Sequence, residues 1–306
     1  MEICVFDVGN ASCNYICSPN RYAMMIDCGS CSDKDNPVDI IKNWQNDKDL
    51  KCFKAKNYVA ESGRSYPLAL LHITHPDNDH VRNADRVNKE LTPFLLKRVY
   101  SENFDDAGDI DKAYIKDFDK PYRSDSTERI NWGFDVDNVF SIPINKVKDE
   151  PALKGKVRNN SSIIRYISYK GVRILFTGDL ETAGWEWLTQ HNSHFCSLMR
   201  QGLDILIAPH HGHESGFPKA LFDLTGNVKV IILSKDTEAS KEKSDVYKNY
   251  SNYADGIKYL SFNERESYRA KVMTTRSNGN IYIMINEYGN MEIGADKASS
   301  NHQKIV

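Results

Sequence analysis

The chain opens with apolar runs broken at short intervals: ICVFDV, then NYIC, then YAMMID, with Gly9-Asn10 between the first two. This spacing predicts consecutive strands joined by tight turns, the third ending on Asp27. NPVDIIKNWQ follows, with Asn36 placed to cap, Pro37 at the first helical position, and Ile40, Ile41 and Trp44 on one side, which predicts a helix. LALLHIT, residues 68 to 74, is a continuous apolar run of the kind a strand buried on both faces shows. Val87, Leu91, Leu95 and Val99 recur at period four and predict a helix over 85–98. From 100 to 139 the periodicity dissolves into 11 acidic and 5 basic side chains with scattered aromatics, as a surface insertion would.

Order returns with SSIIRYIS and VRILFTGD around Tyr169-Lys170-Gly171, a hairpin ending on Asp179. LETAGWEWLTQ and FPKALFDLTG read as helices. LDILIAPHHGHESG reads as a buried strand running into a histidine-rich turn, VKVIILS as another strand, and GNIYIMI as the last. Strands alternate with helices and no internal repeat is visible. One layered α/β domain over 1–290 is expected, with a polar tail at 291–306.

Composition narrows this picture only slightly. The 306 residues are 40% hydrophobic and 27% charged, which is globular, and the formal net charge of −2 leaves only local attraction for a polyanion. Seven cysteines, an odd number, favour a reducing compartment over a disulfide framework. Without a basic-then-apolar leader or an apolar run near the ~18 residues of a membrane span, a cytoplasmic protein with no membrane partner is expected. Charge is uneven, however: residues 146 to 173 carry 8 basic and 2 acidic side chains.

The candidate chemistry lies in residues 74 to 80, THPDNDH. Loops leaving the C-terminal ends of strands are where α/β folds build sites. This loop is one, Asp179 ends a second and His210-His211 a third. Alone, DNDH reads equally well as an Asx-rich cap and HHGH as a surface turn, and His72 reads as a core histidine. Together the three loops bring imidazole and carboxylate in a mixture that suits zinc, manganese or iron. The ligands are too many for one tetrahedral ion, so two divalent ions, Zn or Mn, sharing a bridging carboxylate are expected.

These residues resemble the metallo-β-lactamase fold superfamily, whose members carry an HxHxDH loop, a later Asp at a strand end and a final His. His75, Asp77, Asp79 and His80 match the loop with Asp77 in place of its middle His, and Asp179 and the histidines of APHHG match the later positions. The ordered set FDVG, IDCG, THPDNDH, ILFTGD and APHHG is similar to the hydrolase domain of ComEC-type competence proteins. No histidine stands between His80 and His191, and Asn159-Asn160-Ser161 occupies the stretch where many members place one. The resemblance implies a four-layer αβ/βα sandwich of two mixed sheets flanked by helices, and a dinuclear centre with a bridging hydroxide. His75, Asp77 and Asp179 are assigned to one ion; Asp79, His80, Asp179 and one of His210 or His211 to the other, with His210 preferred. Asp79, itself a ligand, and His211, holding substrate or protonating the leaving oxygen, complete the catalytic set. Asp27 and Asn160 are expected behind the ligands.

The basic run offers Lys154, Lys156 and Arg158 as contacts to a phosphate backbone, whereas Arg165 and Arg173 fall at alternate strand positions expected to face solvent. A metal-dependent phosphodiesterase, foremost a DNA nuclease, is the leading function. A hydrolase of a cyclic nucleotide or other small ester is the second, and a non-catalytic binding module the third. DNA or another phosphodiester, and a protein docking on the 100–139 insertion, are the expected partners.

Overall fold

The computed structural model describes residues 1–100, 104, 112–119, 129–235 and 244–305. The first half supplies strands β1 (Glu2–Val5), β2 (Cys13–Cys17), β3 (Ala23–Cys28), a two-stranded ribbon β4 (Tyr58–Val59) and β5 (Ser65–Tyr66), then β6 (Leu68–His72) and β7 (Pro93–Lys97). The second half supplies β8 (Val136–Phe140), β9 (Ile164–Tyr169), β10 (Val172–Phe176), β11 (Ile205–Ile207), β12 (Val230–Leu233), β13 (Ile257–Ser261), β14 (Glu266–Ala270), β15 (Val272–Thr274), β16 (Ile281–Ile285), β17 (Met291–Ala295) and β18 (Gln303–Lys304).

Two mixed sheets result. One has ten strands in the order β18-β14-β13-β17-β16-β1-β2-β3-β6-β7, the other six in the order β15-β12-β11-β10-β9-β8. Period-two alternation decides which residues meet. Ile3 and Val5 of β1, Ile174 and Phe176 of β10, and Ile205 and Ile207 of β11 enter one shared core between the sheets. Their neighbours point outwards. Cys4 and Phe6 join Val38 and Ile41 of the helix Pro37–Asn46, while Leu175 and Leu206 join Trp185 and Leu188 of the helix Thr182–His191. Helices therefore cover both outer faces, and the four-layer αβ/βα sandwich that the motifs imply is present. The helix Pro37–Asn46 is capped as its sequence predicts, with Asn36 Oδ1 accepting from Val38 N–H at 3.0 Å.

Four sequence expectations are corrected. The helix over 85–98 stops at Leu91: Thr92 is left-handed at φ 40°, Pro93 has no N–H to continue a helix, and β7 begins there as an edge strand. The surface insertion ends sooner than 139, because β8 pairs with β9, and Tyr114 and Phe118 are buried against the first sheet's outer core. Residues 101–103, 105–111 and 120–128 of it lie outside the described residues. The polar tail at 291–306 contains β17, paired with both β16 and β13, because Met291, Ile293 and Ala295 alternate on one face of that strand. Arg165 does not face solvent. It shares the inter-sheet face of β9 with Ile167, is 5% exposed, and pairs with Asp137 and His72 Nδ1. Arg173 is only partly exposed and bonds Asp204 at 3.1 Å.

Cys28 and Cys31 stand in CxxC spacing, yet neither forms a disulfide, and Cys28 is fully buried at the end of β3.

Candidate metal centre

β3 and β6 are parallel neighbours in one sheet, and β10, β11 and β12 in the other. Their C-terminal ends therefore open on one common edge. The loop after β6 carries His75 to His80, the turn after β10 carries Asp179, and the turn after β11 carries His210 and His211. Two glycines are required for this approach. A Cβ on Gly29 would collide with the Asp79 carbonyl oxygen, and Gly212, at φ 74°, faces Leu233 so closely that a Cβ would overlap it. His210 and His211 are themselves left-handed, at φ 49° and 51°.

One donor atom from each of Asp79, His80, Asp179 and His211 lies within 4.8 Å of the others. His80 Nε2 is 3.1 Å from Asp179 Oδ1, and His211 Nε2 is 3.1 Å from Asp79 Oδ2 and 3.8 Å from Asp179 Oδ2. Tetrahedral ligands held at zinc bond lengths sit about 3.3 Å apart, so these separations suit a shared ion. A second set adjoins it through the same aspartate: His75 Nε2 is 3.7 Å from Asp77 Oδ2 and 3.9 Å from Asp179 Oδ2.

Hydrogen bonds behind the ligands fix the tautomers. The Asp27 carboxylate is 2.8 Å from His80 Nδ1, and the Ser234 carbonyl is 3.1 Å from His211 Nδ1; each acceptor requires an N–H there, which turns an Nε2 lone pair toward the cluster. Asp27 is fixed in turn by the Thr74 N–H at 2.8 Å and the Thr74 hydroxyl at 3.0 Å. His75 Nε2 is buried without a hydrogen-bond partner among the described residues. Buried polar atoms rarely stay so unless something is to bind them, and the donor set fits a divalent ion.

Electrostatics agree. Burial alone would depress His80, but Asp179, Asp27 and Asp79 surround it and hold it well above the ordinary imidazole range. Burial likewise opposes ionisation of Asp179, yet His80, His211 and His75 hold its carboxyl well below the usual carboxylate range. In the metal-free protein the His80 contribution to stability is complete below the ordinary imidazole pKa and fades as pH rises through the raised one; that of Asp179 is lost as pH falls through its depressed one. Metal must displace the His80 proton. Titration calorimetry at pH 7 in buffers of different ionisation enthalpy should therefore show close to one proton released as this group loads, and a heat independent of buffer would contradict the assignment.

The structure groups His211, rather than the preferred His210, with Asp79, His80 and Asp179. His210 Nε2 stands 3.8 Å from Asp179 Oδ2, and its Nδ1 is held by the Ser215 hydroxyl at 3.2 Å and Glu181 at 3.4 Å. Burial opposes protonation of His210, but the Glu181 contact and Asp179 leave its pKa raised. Asn160 touches no ligand, because its amide donates to the Leu153 carbonyl at 3.0 Å. Its neighbour Asn159 instead donates to Glu181 at 2.7 Å. His72 is a core histidine, bonded to the Ile163 carbonyl and pushed down to about 3 by burial and Arg165. Glu181, Asn159, Thr74 and Ser234 escaped the sequence reading. Each nonetheless lies in or beside a quoted motif: Thr74 opens THPDNDH, Asn159 opens Asn159-Asn160-Ser161, Ser234 ends VKVIILS, and Glu181 stands two residues beyond Asp179.

A cleft of roughly 670 Å³ opens beside the cluster, and its lining includes Asp77, Asp79, Asp179 and His210 together with Lys148, Lys154, Lys156 and Arg158. Arg158 Nε is 3.0 Å from Asp77 Oδ1.

No family model matches the chain, and no curated protein matches it. Among solved structures it is similar to the metallo-beta-lactamase fold protein YhfI from Bacillus subtilis, at 10% identity and a TM-score of 0.43, covering 92% of this chain and 99% of that one. It is also similar to Zn(2+)-bound PqqB from Methylobacterium extorquens, at 12% identity and a TM-score of 0.40, again covering 92% and 99%.

Proposed function

We propose that this chain is a metal-dependent phosphodiesterase that acts on DNA. The observation that carries the reading is the cleft itself, whose lining joins Lys148, Lys154, Lys156 and Arg158 with Asp77, Asp79, Asp179 and His210 in one opening. Cations opposite a metal centre suit a substrate whose backbone is phosphate. Asp79, His80, Asp179 and His211 hold one divalent ion, zinc or manganese, and His75, Asp77 and Asp179 hold a second. Bound there, the ions supply Lewis acidity at the phosphorus and a water of lowered pKa.

The chain's own residues do the rest. The lysines position the phosphodiester, while Asp27 and the Ser234 carbonyl keep His80 and His211 in the ligating tautomer. His210, which borders the cleft and is held through Nδ1 by Glu181, donates a proton from Nε2 to the departing oxygen. The roles first given to the two histidines are thus exchanged. His210→Gln should retain bound metal but lower kcat about 10²-fold or more, the usual worth of a positioned acid. Equal activity in wild type and variant, on a substrate with a poor leaving group, would remove His210 from the mechanism.

Phe104 lines the same cleft and favours a second reading, a compact phosphodiester such as a cyclic nucleotide packed on its ring. Plasmid DNA, single-stranded DNA, RNA and cyclic nucleotides should be compared with zinc and with manganese. Faster turnover of a cyclic nucleotide than of any polynucleotide would replace the nuclease reading with the second, and turnover of none would reject both.

A further inference from the structure

A second cavity, of roughly 550 Å³, opens away from the metal cleft at the side where the edge strands β7 and β8 leave the two sheets apart. That volume falls within the range of small-molecule sites, about 300–1,000 Å³. Leu70 and Leu95 form its apolar floor. Trp132 and Phe134 line one wall with their rings nearly parallel, 13° apart at 6.1 Å between centroids. These two residues are held in advance of any ligand: Asn20 N–H donates to the Trp132 carbonyl at 3.1 Å, and Asp135 N–H to the Ser168 carbonyl at 2.9 Å.

Polar groups in the wall are incompletely matched. Arg165 is 5% exposed, and although its terminal nitrogens meet Asp137 and His72, its Nε–H has no hydrogen-bond partner among the described residues. Asp137 Oδ1 is likewise buried and without one. An unmatched donor beside an unmatched acceptor is costly in a folded protein unless a ligand supplies the complement. Lys97 and Arg129 also line the cavity, so with Arg165 and Asp137 its four charged side chains sum to an excess of positive charge.

We infer that this cavity binds a nucleoside monophosphate, its base stacked on Trp132 and Phe134 with a donor–acceptor edge toward Arg165 and Asp137, and its phosphate toward Lys97 and Arg129. A ring with both hydrogen-bonding senses on one edge answers the two unmatched groups, and an anion answers the excess charge. The site is independent of the reading given to the metal cleft.

Calorimetry on the metal-loaded chain tests it with adenosine 5′-monophosphate as probe, and with adenosine and inorganic phosphate as controls. The monophosphate should bind saturably below millimolar concentration and at least tenfold more tightly than either control. Trp132→Leu and Lys97→Glu should each weaken it by about tenfold, while Lys154→Glu with Lys156→Glu leaves it unchanged. Thermal melting of both pocket variants within a few degrees of wild type shows that the loss is local, and Phe134→Leu provides a third variant should either misfold. Loss of binding only in the Lys154/Lys156 variant would place the nucleotide in the metal cleft and overturn the inference. So would equal affinity for adenosine, or no saturable binding.

Discussion

Asp179→Ala should leave the protein with no tightly bound transition metal and with hydrolysis at the uncatalysed background. This aspartate is the one residue shared by both ligand sets: its Oδ1 lies 3.1 Å from His80 Nε2, and its Oδ2 lies 3.8 Å from His211 and 3.9 Å from His75. On the proposed two-ion reading, removing it takes one ligand from each ion, and it also removes the strongest carboxylate neighbour of His80. In metal-free protein the His80 pKa should accordingly fall, read by proton NMR, because one of the charges holding its proton has gone. Asp27→Asn provides the graded comparison. It leaves every proposed ligand in place and alters the carboxylate shared by His80 Nδ1 and Thr74, so metal affinity should drop about 10–100-fold rather than vanish. Metal content measured by elemental analysis separates the two, and an Asp179→Ala protein that keeps two equivalents would dismantle the shared-carboxylate arrangement.

Charge reversal of Lys148, Lys154 and Lys156 together should weaken duplex binding and flatten its dependence on salt by roughly 0.9 log–log units for each phosphate no longer neutralised. Turnover of a small chromogenic phosphodiester should change little, because such a substrate carries no further backbone phosphates for the lysines to neutralise. Arg158 is left out of that set on purpose. Its Nε lies on Asp77 Oδ1, so reversing it would disturb a ligand as well as the substrate surface. A triple variant with unaltered DNA cleavage and salt slope would reduce the basic run to a solvated face.

The candidate loop was visible because its chemistry is local: THPDNDH places two histidines and two aspartates within one turn, and no tertiary contact is needed to see them. The four layers were legible for a related reason, since β1, β10, β11 and β12 are each apolar at consecutive positions and must be buried on both faces. The choice between His210 and His211 was not. Both follow β11 directly, and only the left-handed backbone of the pair, with Ser234 behind one ring and Glu181 behind the other, assigns them different surroundings. Period-four spacing misled at Val87 to Val99 because Thr92-Pro93 splits the series between two elements. Arg165 misled because its alternate strand position was assigned to the solvent face, whereas its partners Asp137 and His72 come from 28 and 93 positions away. The strand β17 was missed because Gly294 and Glu292 dilute an otherwise alternating segment, and its pairing with β13 is long-range.

The proposed ligands come from both sheets: His75, Asp77, Asp79 and His80 from the end of the ten-stranded one, Asp179 and His211 from the end of the six-stranded one. An ion held by both would cross-link two halves of the molecule that otherwise meet through a largely oily, non-directional interface with a few polar bonds such as Arg165 to His72. The pair Asp79 and His211 is separated by 132 positions along the chain, so closing that loop with a metal removes a large share of the unfolded chain's freedom. Occupancy is thereby converted into mechanical cohesion. Chelation should make the two sheets breathe against each other, with amide exchange quickening first at the strand ends around Thr74, Thr177 and Ser234 while the far ends of the same strands stay protected.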